Sequence, residues 1–83
     1  MIKIDVVFNN SELAGKLRRG VYELPEGSTV AALMAEAQNE AAYVISQELT
    51  DNIVFLFDNR HAAFDTELKD GGKLRVLHKV LGG

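Results

Sequence analysis

Apolar and polar residues alternate from the start of the chain. Ile2, Ile4, Val6 and Phe8 recur at a period of two, with Lys3 and Asp5 between them. This predicts a strand over Ile2–Phe8 with one buried face. Val7 falls on the outward face with the charges. Asn9-Asn10-Ser11 reads as a turn. Residues 12–19 are polar and contain Gly15, which predicts a loop. A second strand follows, Gly20–Leu24, close enough to the first to pair with it as an antiparallel hairpin.

Pro25 ends that strand, because it cannot donate to a ladder. Gly27 allows a tight turn, and Ser28 or Thr29 can cap a helix by accepting from one of its first free N–H groups. Neither residue is followed three places on by Glu or Gln, so no capping box forms. Val30, Leu33, Met34 and Ala37 then mark one face of a helix at i, i+3, i+4 and i+7, reinforced by the helix propensity of Ala31, Ala32 and Ala35. Over residues 39–51 a single long helix would be unusual in a domain this small. We expect an interruption near Asn39-Glu40 and a turn at Thr50-Asp51-Asn52.

Ile53–Phe57 is an uninterrupted apolar run of strand length. Such a run suits a strand with little solvent on either face, or with one face meant for a partner. Asp58-Asn59 suits a tight hairpin turn, since both residues tolerate positive φ. The remaining expectations are a return strand over residues 60–64, one helical turn at 65–68 with Leu68 as inward anchor, and a turn at Lys69–Gly72. The final strand runs from Lys73 to about Val80. Leu74, Val76 and His78 share one face of it, and Lys73, Arg75, Leu77 and Lys79 the other.

The chain has 83 residues, enough for one small domain. It contains no cysteine, which removes disulfides, thiolate metal sites and cysteine nucleophiles. His61 and His78 lie on different elements and make a poor metal site, so no bound metal or cofactor is expected. The net charge is −3, against the basic footprint of nucleic-acid binding. No signal-peptide pattern or membrane-length apolar run appears, and a cytoplasmic location is the default. Asp58, Asp65 and Asp70 fall in turns and read as turn formers rather than as a catalytic pair.

The element order is strand, strand, helix, strand, short strand, strand. It predicts an α+β domain with a mixed four- to five-stranded sheet and one main helix on one face. If the last strand lies parallel to the first, the helix supplies the crossover that parallel pairing requires, and the sheet is a β-grasp. The chain ends Leu81-Gly82-Gly83. A strand running into two glycines would leave an unhindered main-chain carboxylate, with the fold over 1–80 and a flexible tail at 81–83.

This order resembles the ubiquitin-like sulfur carriers of the MoaD/ThiS family. Leu24–Val30 before the helix, Asp65–Gly71 before the last strand and the terminal Gly82-Gly83 carry the resemblance, which covers nearly the whole chain. Family members often have Asn-Gly where this chain has Asp58-Asn59. The molybdopterin branch often has a proline pair where this chain has His78-Lys79. The length, with extra residues near 39–51, sits nearer that branch than the shorter thiamine carriers.

The resemblance implies a carrier rather than an enzyme. A separate adenylating enzyme would activate the Gly83 carboxylate with ATP, and a sulfurtransferase would convert it to a thiocarboxylate. A synthase large subunit or a thiazole synthase would then take the sulfur. Leu81, Gly82 and Gly83 would thread the partner's channel, where a Cβ would clash. Docking would use the outward side chains Val54, Leu56, Arg75, Leu77 and Lys79, a small apolar patch with a charged rim. The competing reading places Val54 and Leu56 in the core. Molybdopterin biosynthesis is the expected destination of the sulfur. The alternatives are thiamine-thiazole synthesis, conjugation through Gly83 to lysines of other proteins, and a plain interaction module.

Overall fold

A computed structural model of the chain describes residues 1–79. It contains β1 (Ile2–Asn9), α1 (Ser11–Ala14), β2 (Gly20–Leu24), α2 (Val30–Ala41), α3 (Gln47–Thr50), β3 (Ile53–Phe57), β4 (Arg60–Ala62) and β5 (Lys73–His78). The strands form one sheet in the order β2-β1-β5-β3-β4. The central pair, β1 and β5, is parallel, and every other pairing is antiparallel. This is a β-grasp sheet with five strands.

The alternation in β1 is realised in full. Ile2, Ile4, Val6 and Phe8 are buried, and they join Tyr22, Leu24, Phe55, Phe57, Leu74 and Val76 on one side of the sheet. Val30, Leu33, Met34 and Ala37 of α2 close over that side. Thr29 is the N-cap, with Oγ1 accepting from the Ala32 N–H.

Residues 65–68 do not form the expected helical turn, because their backbone is needed elsewhere. The carbonyls of Phe64 and Thr66 accept from Ala31 and Val30, two of the first N–H groups of α2, which lack partners inside the helix. Leu68 N–H donates to Ser28 O, and Glu67 bridges to Thr29. Thr66 Oγ1 closes the turn itself by accepting from Ala63 N–H at 2.8 Å. Leu68 is the inward anchor expected of it, 1% exposed.

Four boundaries also differ from expectation. The loop over 12–19 begins with a helical turn, α1, because Asn10 caps it and Leu13 gives it a buried anchor. The helix break falls at Ala42, in left-handed conformation, rather than near Asn39-Glu40. Turning there lets Tyr43 and Ile45 pack against the core and leaves Val44 exposed. Gln38 holds the turn, accepting from Ile45 N–H through Oε1. The return strand β4 stops at Ala62, and β5 stops at His78. The Asp58-Asn59 turn is as expected, both residues having positive φ. Among the described residues no helix is long and apolar enough to cross a membrane.

Candidate functional site

The side of the sheet away from α2 presents the odd positions of β1 and β5 and the even positions of β3. Val54 and Leu56 of β3 are partly buried, as are Arg75 and Leu77 of β5. The register brings all four together: Val54 lies opposite Leu77, and Leu56 opposite Arg75. Val54 and Leu56 are therefore not core residues; their neighbours Phe55 and Phe57 are. Lys79 follows β5 and is exposed, with its N–H donating to Asn52 O at 2.7 Å.

Two further residues extend this group. Val7 of β1 is the register partner of Arg75, and His61 of β4 is the partner of Leu56. Val7 was detectable in sequence as an apolar residue on the charged face of its strand. His61 gave no signal, because only the register of the β3–β4 hairpin places it there. Charged pairs gather at the other end of the same face, where Asp5 lies opposite Lys73 and Lys3 opposite Glu23. The apolar residues thus sit at the end of β5 from which the chain continues to its last residues. Arg75 stands among them, partly buried, with no salt bridge among the described residues. Leu81, Gly82 and Gly83 lie outside the described residues.

The clearest electrostatic perturbations lie elsewhere. Arg18 binds Glu40 through Nε and Nη2 and donates from Nη1 to Val21 O. The hydrogen bond from Arg18 holds the Glu40 carboxyl below its ordinary range, and the same bond raises Arg18. Burial raises the Tyr22 phenol, whose ring lies 4.0 Å from the Arg18 guanidinium carbon. This network fastens the segment before β2 to the end of α2.

The ThiS family pattern matches residues 7–83. The chain belongs to the ThiS family of ubiquitin-like sulfur carriers. Its fold agrees with solved structures. A Pyrococcus furiosus protein assigned as molybdopterin converting factor subunit 1 is 25% identical, with a TM-score of 0.71; the match covers 96% of this chain and 100% of that one. Small archaeal modifier protein 1 of Haloferax volcanii gives a TM-score of 0.73 at 20% identity, covering 96% of this chain and 100% of that one. A further structure of the Haloferax volcanii protein gives 0.70 at 22%, covering 98% and 99%. No curated protein matches the chain in sequence. Small carriers of the ThiS family are generally non-catalytic and work with an activating enzyme and synthase subunits.

Proposed function

We propose that the chain carries sulfur as a thiocarboxylate on Gly83 and delivers it to molybdopterin synthesis. The observation that carries this reading is the position of the apolar face. Val7, Val54, Leu56 and Leu77 form a docking surface at the end of β5 that leads to Gly82-Gly83. From His78 to Gly83 the chain can span at most about 18 Å. A partner seated on this face therefore has its reaction centre within a tail's length. The likeness to a molybdopterin converting factor subunit over that protein's whole length supports this destination.

The chemistry fits a main-chain carboxylate. A carboxylate is a poor electrophile. Its oxygen attacks the α-phosphate of ATP on the activating enzyme, releasing pyrophosphate and forming an acyl adenylate. A sulfur nucleophile then attacks the carbonyl carbon, and AMP leaves. ATP belongs to the partner, and the carrier supplies docking and reach, which is a proximity contribution. Arg75, partly desolvated among aliphatic side chains, calls for a carboxylate on the partner, since Arg pairs with carboxylate through two parallel bonds.

Mass spectrometry after co-expression with cognate activating and sulfur-transfer enzymes tests the reading. The expected species is heavier by about 16 Da, one oxygen exchanged for one sulfur at Gly83. Deleting Gly82-Gly83 should abolish it and leave the folding stability unchanged. Absence of the heavier species with active partners would sink the proposal. Gly83-dependent conjugates on lysines in its place would assign the same carboxylate to protein modification.

A further inference from the structure

The end of β5 is held by contacts that the docking face does not use. Asn10 is buried, 2% exposed, a rare condition for a polar side chain. Its amide makes two hydrogen bonds. Oδ1 accepts from Glu12 N–H at 2.9 Å and caps α1. That bond decides which end of the amide is oxygen. The amino group Nδ2 is therefore the end lying 3.1 Å from His78 Nδ1. An amide nitrogen only donates, so Nδ1 must accept, and the neutral ring carries its proton on Nε2. Two more contacts converge here: His78 pairs with Ile53 of β3, and Lys79 N–H donates to Asn52 O.

We propose that Asn10 and His78 are a positioning pair for the tail. Their hydrogen bond fixes the end of β5, the last described strand before the terminal carboxylate, on which a docked partner would rely. The proposal rests on the carrier reading of the tail. It adds a second requirement to that reading: docking holds the sheet, and the pair holds the end of β5 against the β1–α1 junction. A misplacement of about 1 Å at a reacting group can cost as much as a hundredfold in rate. The bond also requires a neutral imidazole. In the protonated ring both nitrogens donate, and Nδ1–H would face the Asn10 amino group. Among the described residues, the charged groups around the ring are Glu12 of α1 and Glu48 of α3, which line a cleft with it, and Lys79 next in the chain.

Nitrogen NMR of the full-length carrier should find the neutral form of the His78 ring carrying its proton on Nε2. In Asn10→Asp the cap oxygen is kept but the donor becomes an acceptor, and the ring proton should move to Nδ1. In pyrophosphate exchange by the cognate activating enzyme, His78→Ala should lower kcat at least about fivefold with KM within about twofold. His78→Asn keeps an acceptor oxygen near the Nδ1 position and should restore kcat. Equal kcat for His78→Ala and the unmodified chain, or a neutral ring with its proton on Nδ1, overturns the pair. If the unmodified chain is not adenylated at all, it is the carrier reading that fails. The pair is then decided by whether Asn10→Asp shifts the amide signal of Lys79, which bonds to Asn52 at the end of β5; no shift overturns it.

Discussion

Gly72 offers a test whose sign, not only its size, discriminates. It stands directly before β5, with its carbonyl accepting from Asp5 N–H at 3.0 Å. Its neighbour Gly71 has φ of +82, which glycine tolerates best. Gly72 has no such conformation and is glycine for a different reason. A Cβ there would fall within 2.5 Å of Phe57 Cε1, closer still to Cζ, and 3.0 Å from Lys69 O. Phe57 is 9% exposed and lies opposite Leu74 in the sheet. Without a clash, Gly72→Ala would stabilise by about 0.4–1 kcal/mol by restricting the unfolded chain. With it, the ring must leave its rotamer or partly leave the core. Overpacking of this kind costs about 1–3 kcal/mol. Full expulsion of a ring burying about 200 Å² sets a ceiling of about 5 kcal/mol. We expect a net loss of about 2 kcal/mol, read by urea denaturation as a lower midpoint at unchanged slope. Phe57→Leu removes the atoms in conflict. In that background Gly72→Ala should be neutral or stabilising, a coupling of about 2 kcal/mol. A stabilising Gly72→Ala in the unmodified chain, or strict additivity in the double variant, would refute the packing argument.

Three other outcomes follow from the same geometry. Leu56→Asp places a charge on the docking face without touching the core; KM for adenylation should rise at least about tenfold with kcat unchanged, and thermal unfolding should move little. Ala42 sits at φ 51; Ala42→Gly relieves that strain and should stabilise by about 1 kcal/mol in urea titrations. The Glu40 carboxyl is held below its ordinary 4.5 by the bond from Arg18. Its pairing therefore stabilises the fold above that pH, and the contribution is lost as pH falls through the lowered folded value. Glu40→Gln should cost about 0.5 kcal/mol at pH 7, as suits an exposed pair, and nothing measurable in strong acid.

What could be read from the sequence follows from the range over which each interaction acts. The alternation of β1 and the helical face of α2 are written in adjacent residues, and both are found intact. The turn at Asp58-Asn59 is local too, set by the φ preferences of its own two residues. Residues 65–68 were misread because their hydrogen bonds go to the start of α2, more than thirty positions back. Local preference allowed a helical turn, and a non-local need for carbonyl acceptors overrode it. The same contrast runs through the site. Val54, Leu56, Arg75 and Leu77 were legible as outward positions of two strands. Val7 and His61 joined them only once the register was known. Asn10 was legible only as a turn residue. Its bond to His78 spans 68 positions, and no local pattern records it.

β5 shows why this fold suits a carrier. It is paired on both sides, by β1 in parallel and β3 antiparallel. Its even positions Leu74 and Val76 are fully buried, whereas Arg75 and Leu77 keep some exposure on the other face. One six-residue strand therefore anchors the core with one face and supplies half of the apolar group on the other. Because the period is two, these duties fall on different residues. On the proposed reading a substitution at Leu77 should change docking without entering the core, and one at Val76 should do the reverse. A parallel neighbour adds a directional constraint: β1 and β5 end on the same side, so the β1–α1 junction lies beside the root of the tail. Asn10 stands at that junction. An antiparallel β1 would place its start, not its end, beside His78, and the residue that caps α1 could not also bond to the end of β5.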